Sequence, residues 1–586
     1  MCGISGALRL APDAPELDRD ELRRVRDTMA SRGPDGAGEW WSPSGRAGLL
    51  HRRLAIIDLS PAAAQPMQSA DGRHVLVFNG EIYNHAELRA ELEREGVRFR
   101  TRSDSEVVLE LLARSESPEA ALARLRGMFA LALWDEAPGR LLLARDPYGI
   151  KPLYYEAREG CVRFASQVRA LERVGARGID PAGLAGFLLW GSVPEPFTLR
   201  PDVRSVPAGH VLSLEAGGIG APVPIPLPPP SPAADPWDAA RRALQDSVGA
   251  HLVSDVPVGV FLSAGLDSSL IAALARRSSE HPLRAVSVAF ESFAGSEDDE
   301  APLAGETARS LGLDPVVRRF SNSELRELWP RSFSAMDQPS IDGYNTWLVS
   351  LAAREAGLKV VLSGVGGDEL FGSYPSFRQV PRLASWSWRG RALPLASRLL
   401  AAVGRRTGRP KLAGLLSHGD LAGAYFLRRG LFLPEELPAL VGDDVAAAGL
   451  AAYDPFADAR RFRAKDDWLG VQRMESGLYL RNQLLRDADW ASMAHSVELR
   501  TPLVDTALRS SLAAQGFEPA RSRGRRALVA ALAPELPPAV LTRRKRGFAI
   551  PPLGPATTRP GVLARAFALE ILERRGIPLR QENLAR

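Results

Sequence analysis

The chain has 586 residues, of which 45% are hydrophobic, 24% charged and 7% aromatic, the balance of a globular protein with a real core. That excludes disordered, collagenous and coiled-coil classes, and at about 150 residues per domain the length allows roughly two to four units. The 74 basic and 69 acidic side chains leave +5, too dilute over this length to mark a nucleic-acid footprint.

Two cysteines, Cys2 and Cys161, allow one disulfide at most and no zinc site of their own. The start Met-Cys-Gly-Ile-Ser-Gly lacks the basic and apolar regions of a secretory signal, and no apolar run reaches membrane-spanning length. A reducing cytoplasm is the expected compartment, with neither membrane nor nucleic acid as partner.

In chain order, Leu22, Val25 and Met29 repeat at helical spacing behind Asp18 and Glu21, which read as a capping box. Val75 to Phe78 is an apolar strand. Met128–Asp135 and Arg140–Asp146 flank the turn Glu136-Ala137-Pro138-Gly139 and are predicted to pair antiparallel. Residues 221–236 (APVPIPLPPPSPAADP) can form neither helix interior nor central strand. They divide a unit 2–215, helices on antiparallel sheets, from a unit 237–586, with 216–236 as linker.

The second unit alternates. Strands are predicted at Val258–Leu262, Ala285–Phe290, Val316–Phe320 and Lys359–Leu362, with helices at Asp267–Arg277, 301–311 and Thr346–Gly357 between them. Such alternation argues a doubly wound parallel sheet. Beyond about residue 380 the pattern is mostly helical.

Cys2 draws attention because an N-terminal cysteine, once methionine is removed, carries a nucleophile and a base on one residue. Its α-amine, titrating near pH ~7.7–8, can accept the thiol proton. Arg53, at the mouth of a strand in His51-Arg52-Arg53-Leu54-Ala55-Ile56-Ile57-Asp58, offers a planar fork for a carboxylate. Asn79-Gly80 is either a hairpin turn or an oxyanion hole formed by the Asn79 amide and the Gly80 N–H. Asp104 is either a helix N-cap or the partner of a substrate ammonium.

A second constellation is Leu262-Ser263-Ala264-Gly265-Leu266-Asp267-Ser268-Ser269, between a predicted strand and helix. It is no Walker A loop, yet small residues at a helix N-terminus suit an anion. Asp267 would repel phosphate unless a divalent cation intervened; otherwise it is an ordinary cap. A partner segment, Ser363-Gly364-Val365-Gly366-Gly367-Asp368-Glu369-Leu370-Phe371-Gly372, follows another strand. It places Asp368 at a strand's carboxyl end, as Asp267 is.

In consistent order, MCGI, RGPDG, HRRLAIIDLS, QPM, FNGEIYNH, SDSEV, GMFALALWD and LLLARDPYGIKPLYY resemble the glutamine amidotransferase domain of glutamine-hydrolysing asparagine synthetases. The resemblance implies an N-terminal nucleophile hydrolase fold, an αββα sandwich. It implies Cys2 as nucleophile, with Asn79 and Gly80 catalytic. Arg53, Leu54, Ala55, Ile56, Ile57, Asn79, Gly80, Glu81 and Asp104 would hold glutamine.

The two loops resemble those of ATP pyrophosphatases and of the synthetase domain, which adenylate a carboxylate. This implies ATP at Leu262, Ser263, Gly265, Asp267, Ser268, Phe290, Ser363, Gly364 and Lys545, with Mg2+ on Asp267 and Asp368. Leu485 to Asp505 resembles a long synthetase signature, implied to build the floor of that site, with His495 as a packing residue rather than a base. A homodimer is left open.

Two positions depart from the family. Ala264 stands where glycine is usual, and a left-handed backbone there would strain alanine by about 1 kcal/mol or more. Val365 stands where the family has a glutamate thought to aid adenylation or reaction with ammonia. Aspartate amidation to asparagine is therefore the leading expectation. Another carboxylate, such as a sugar acid or a natural-product intermediate, is the alternative, and a non-catalytic ligand-binding descendant is the third reading.

Overall fold

The computed structural model describes residues 2–580 except 173–177, 228–232, 391–410, 412–418, 518–520, 522–523, 545–549 and 552–559. Two antiparallel sheets form the first body. One orders the strands Val203–Ser205, Tyr154–Arg158, Cys161–Ala165, Gly3–Arg9, Ala47–Arg53 and Gly36–Trp41. The other orders Gly218–Ile219, His210–Glu215, Arg140–Arg145, Gly127–Asp135, His74–Ile82 and Met67–Gln68.

Because side chains alternate across a strand, each sheet buries two faces. Ile4, Leu8 and Leu49 of the first meet Val75, Val77, Ala130 and Leu143 of the second between the sheets. Outside, the helix Arg19–Thr28 covers the first sheet through Leu22, and the helices His85–Arg94 and Asp104–Ala113 cover the second. The layers are αββα.

The expected hairpin is present, with Asp135 opposite Arg140. Asp18 caps its helix by accepting the Asp20 and Glu21 amides at 2.9 Å. Asn79-Gly80 is not a turn: it lies inside a strand, Asn79 opposite Ala130 and Gly80 opposite Phe129. A Cβ on Gly80 would stand 2.3 Å from the Met128 carbonyl oxygen, so this register excludes any side chain there. The start of the proline stretch is also ordered. Val223–Pro224 pairs with His210–Val211 at a sheet edge, where a missing N–H is tolerated.

The second body holds a five-stranded parallel sheet in the order Asp314–Phe320, Arg284–Phe290, Val258–Phe261, Val360–Leu362, Glu498–Arg500. Chain order reverses between Val258–Phe261 and Val360–Leu362, so the segments following both strands emerge side by side. The strand Glu498–Arg500 lies within the synthetase-like signature and pairs with Val360–Leu362. The helix Leu266–Ser278 and the helix Tyr344–Glu355 pack against the sheet. No described helix is long and apolar enough to cross a membrane.

Charged contacts join the two bodies. Arg32 forms a two-point ion pair with Asp489 at 2.7 and 3.0 Å, their side chains only 1% and 4% exposed. Lys359 meets Asp35 at 2.8 Å and Arg126 meets Asp505 at 2.8 Å. A buried ion pair that loses one member leaves an uncompensated charge out of water. Asp489→Ala is therefore expected to destabilise the protein by about 3–5 kcal/mol, read as a lowered urea midpoint; an unchanged midpoint would mean that Arg32 finds solvent.

Candidate active sites

The first site forms at the start of an interior strand of one sheet, against an interior strand of the other. Its cavity is lined by Cys2, Arg53, Leu54, Ile56, Ile57, Gln65, Gly80, Glu81 and Asp104, among others. Cys2 heads the central strand Gly3–Arg9, next to the strand that ends at Arg53. Its backbone nitrogen donates to Asn79 Oδ1 at 3.0 Å, and Arg32 Nε donates to its carbonyl at 3.1 Å. Burial pushes the Cys2 thiol up, opposed by the amino terminus and Arg53. Asn79 is fully buried, and its Nδ2 has no acceptor among the described residues. A buried amide donor without a partner costs free energy unless a ligand supplies one.

Arg53 donates to the carbonyls of Ser60 at 2.9 Å and Asp58 at 2.5 Å, which aims its fork over the cavity mouth. Arg52, by contrast, pairs with Asp27 at 2.9 Å. Asp104 is not the N-cap; Ser103 is, and the Asp104 carboxylate instead accepts the Ile82 amide at 3.0 Å. Ala55 does not line the cavity: its amide donates to Asp35 Oδ2 at 2.8 Å on the other side of the segment. The free space is about 30 Å³, room for one water, so a larger ligand requires the lining to shift.

Glu81 is a further titratable group of this site. Burial raises its carboxyl well above the usual range, and Asp104 adds to the effect while Arg500 opposes it. Arg500 belongs to the second body. Its Nη2 donates to Glu81 at 3.0 Å, its Nε to Glu498 at 2.6 Å, and its Nη1 to the His251 and Val253 carbonyls. The Arg500 carbonyl in turn accepts the Ser363 amide at 2.9 Å. One residue thus touches both candidate sites, and apart from Glu498 its side-chain partners lie hundreds of residues away, so no local spacing marks it.

The second site is a cleft of about 1070 Å³ at the switch point of the parallel sheet. Leu262, Ser263, Gly265, Asp267, Ser268, Ser363, Gly364, Val365 and Asp368 line it as expected. Gly265 is the N-cap of the helix Leu266–Ser278, so Asp267 sits in its first turn. The Ser263 and Ser268 hydroxyls bond each other at 2.9 Å and stiffen the loop. Ala264 is not among the residues with positive φ, so alanine is accommodated without the strain its position suggested. Gly366 does need its freedom: φ is +91° and a Cβ would meet Val504 Cγ2 at 2.4 Å.

Asp267 and Asp368, 101 positions apart in sequence, converge on one cation. Arg525 Nη1 donates to Asp267 at 2.6 Å and Asp368 at 2.9 Å. Nothing in the sequence around Arg525 marks it as the partner of these two aspartates. Phe290 does not wall the cleft; it packs on Phe293 and Phe320, with ring centroids 5.8 and 6.3 Å away, while Val286–Val288 of the same strand face the cleft. Lys545 lies outside the described residues. His495 packs edge-on to Trp347, and burial lowers its pKa to about 4. Glu369, also on the cleft, accepts from the Tyr374 hydroxyl at 3.0 Å. Burial and Asp368 raise its carboxyl to about 8, and its Oε2 has no partner among the described residues.

Residues 1–222 match the glutamine amidotransferase domain family, and residues 239–583 match the asparagine synthase family. The chain is 33% identical over 573 residues to "Asparagine synthetase [glutamine-hydrolyzing] 1" of Bacillus subtilis (strain 168), covering 94% of this chain and 87% of that protein. It is 36% identical over 603 residues to "Putative asparagine synthetase [glutamine-hydrolyzing]" of Mycobacterium bovis, covering 94% and 88%. A Gibberella zeae protein named "Amidase chry2" shares 32% identity over 411 residues, 64% of this chain and 60% of the relative. A buried amino-terminal cysteine beside an unpartnered amide, and a cleft whose two aspartates meet at a strand-order reversal, coexist here with matches along nearly the whole length. The chain belongs to the glutamine-hydrolysing asparagine synthetase family.

Proposed function

We propose that the chain takes nitrogen from glutamine at the first site and amidates an ATP-activated carboxylate at the second. The observation that carries this reading is the Asn79 side chain, whose oxygen holds the Cys2 nitrogen and whose buried Nδ2 has no acceptor among the described residues. With Met1 removed, that nitrogen is an α-amine able to take the thiol proton. The thiolate attacks the glutamine δ-carbonyl, and Asn79 Nδ2 with the Gly80 N–H receives the oxyanion. Collapse releases ammonia and leaves a thioester that water hydrolyses. Arg53 takes the glutamine carboxylate, Glu81 and Asp104 its ammonium, and Leu54, Ile56 and Ile57 its aliphatic stem.

At the second site an acceptor carboxylate oxygen attacks the α-phosphorus of ATP and pyrophosphate leaves. Ammonia then adds to the acyl carbon, and AMP departs to give the amide. The loop Ser263–Ser268 binds pyrophosphate through its helix N-terminus, and Leu262, Ser363 and Gly364 flank the nucleotide. Lys545 is assigned to the phosphates by family resemblance alone. Asp267 and Asp368 suit magnesium, since both already focus on one cationic nitrogen. Bound there, the ion would neutralise phosphate charge.

Aspartate is the leading acceptor, as the synthetase relatives' names suggest. A different carboxylate is the second reading, favoured by Val365, which can neither take a proton nor bind a cation. Glu369 is the carboxylate of that motif left to accept the proton as ammonia adds.

Cys2→Ala is expected to abolish glutamine-dependent amide formation while synthesis from ammonium salts persists, followed by product mass; loss of both would contradict separate sites. Glu369→Gln is expected to lower amide formation by about 10²–10⁴-fold. Full-rate amide formation in that variant, measured with saturating ammonium, would remove Glu369 from the proton path.

A further inference from the structure

Of the two carboxylates read as holding the glutamine ammonium, one is anchored by its own body and the other is not. Asp104 opens the helix Asp104–Ala113, and its carboxylate accepts the Ile82 amide at 3.0 Å within the first body. Glu81 stands near the end of the strand His74–Ile82, lines the same cavity and is only 3% exposed. Among the described residues no group of the first body hydrogen-bonds its carboxylate. Its Oε2 accepts from Arg500 Nη2 at 3.0 Å, and its Oε1 is buried with no partner among the described residues.

Arg500 is itself immobilised by the second body. It ends the strand Glu498–Arg500, in register with Leu362. Its Nε donates to Glu498 at 2.6 Å, and its Nη1 to the His251 and Val253 carbonyls at 2.8 and 2.6 Å, so these contacts alone fix the guanidinium plane. Tyr83, two positions beyond Glu81, meets the same group: its ring packs on His251 with centroids 3.9 Å apart, and the guanidinium lies 5.7 Å from its centroid. A glutamate side chain is otherwise free to turn, and one held oxygen removes that freedom. The remaining buried oxygen is costly unless a ligand supplies a donor, and an ammonium supplies a donor with a charge.

We propose that Arg500 is a positioning residue for the glutamine site. By holding Oε2 of Glu81 from the second body, it presents Oε1 to the α-ammonium of glutamine, so that amine recognition in one body depends on a side chain of the other. The inference rests on the glutamine reading above and adds to that site a residue from outside its own body. Arg500 touches neither glutamine nor the reacting carbonyl in this scheme; it acts through Glu81.

The test uses the full chain and follows ammonia release from glutamine and from the monoamide of glutarate, which carries hydrogen in place of the α-amine. The parent is expected to favour glutamine at least about tenfold in kcat/KM, the worth of one charge-assisted contact. Arg500→Lys keeps the buried charge, but one ammonium cannot serve both carboxylates and both carbonyls with the geometry of a fork. It is expected to raise the glutamine KM at least about tenfold, with kcat within about twofold and the analogue's kcat/KM unchanged. In a Glu81→Gln background the same change is expected to add nothing. An unchanged glutamine KM in Arg500→Lys, or an equal loss for both substrates carried by kcat, as general loosening would give, would overturn the proposal. Should Arg500→Lys not fold, Glu81→Asp leaves Arg500 intact and withdraws the carboxylate from it by one methylene: a comparable rise in glutamine KM upholds the proposal, and an unchanged KM overturns it. A parent that treats the two substrates alike removes Glu81 from amine recognition and takes the proposal with it, while the thioester chemistry stands. If the parent hydrolyses neither, the glutaminase reading fails, and calorimetric titration with glutamine decides the contact separately. Weaker binding to Arg500→Lys upholds it; equal binding, or none to the parent, overturns it.

Discussion

The Arg500 guanidinium is the interaction around which both reaction sites are arranged. It is fully buried, yet it carries a charge that must be balanced inside the protein, and it finds that balance in two carboxylates from different bodies. Glu498 shares its strand; Glu81 belongs to the glutamine-site segment. Against burial, the amino terminus and then Arg500 hold Glu498 down to about 2, so that its charge persists, while Glu81 remains pulled upward by burial. Because a desolvated ion tolerates little displacement without a large penalty, the Glu81–Arg500 contact fixes the two bodies in one relation. The same residue's carbonyl holds the Ser363 amide, so the register of the pyrophosphate-side motif is tied to the glutamine pocket.

Arg32 extends this logic on the other flank. It reaches back to the Cys2 carbonyl and forward to Asp489, placing the nucleophile's backbone on the same buried ionic frame. Lys151, fully buried 4.0 Å from Asp489, has its pKa lowered by that burial. Between the sites these charges are set into an apolar seam, where Leu54, Ile56, Tyr83, Met128 and Ile150 of the first body pack with Leu480, Leu485, Met493 and Leu503 of the second. In the cleft, Arg525 plays a different part. It occupies the point where two aspartates converge and donates to both.

Much of this was legible from residue order. Alternating apolar runs located the Gly127–Asp135 and Arg140–Arg145 hairpin, and the strand–helix alternation after residue 237 located four strands of the parallel sheet to within a few residues, missing Glu498–Arg500 in a region that reads as helical. Local turn chemistry misled at Asn79-Gly80, since the pair is a common hairpin signal, yet cross-strand packing against Met128 and Phe129 holds it in a strand. The proline stretch was read too broadly, because an edge strand needs only part of the ladder that proline lacks. Phe290 carried the right type in the right strand but faces a core of rings, not the cleft.

By itself the sequence determined the two bodies, the cysteine at residue 2 and the two glycine-rich loops, because these depend on local period, on short contiguous motifs and on spacing along one strand and helix. Tertiary structure alone decided that Asp267, Asp368 and Arg525 share one point and that Arg500 reaches Glu81. The reason is physical: balancing buried charge is a property of distance through space, and residues hundreds of positions apart carry no mark of it along the chain.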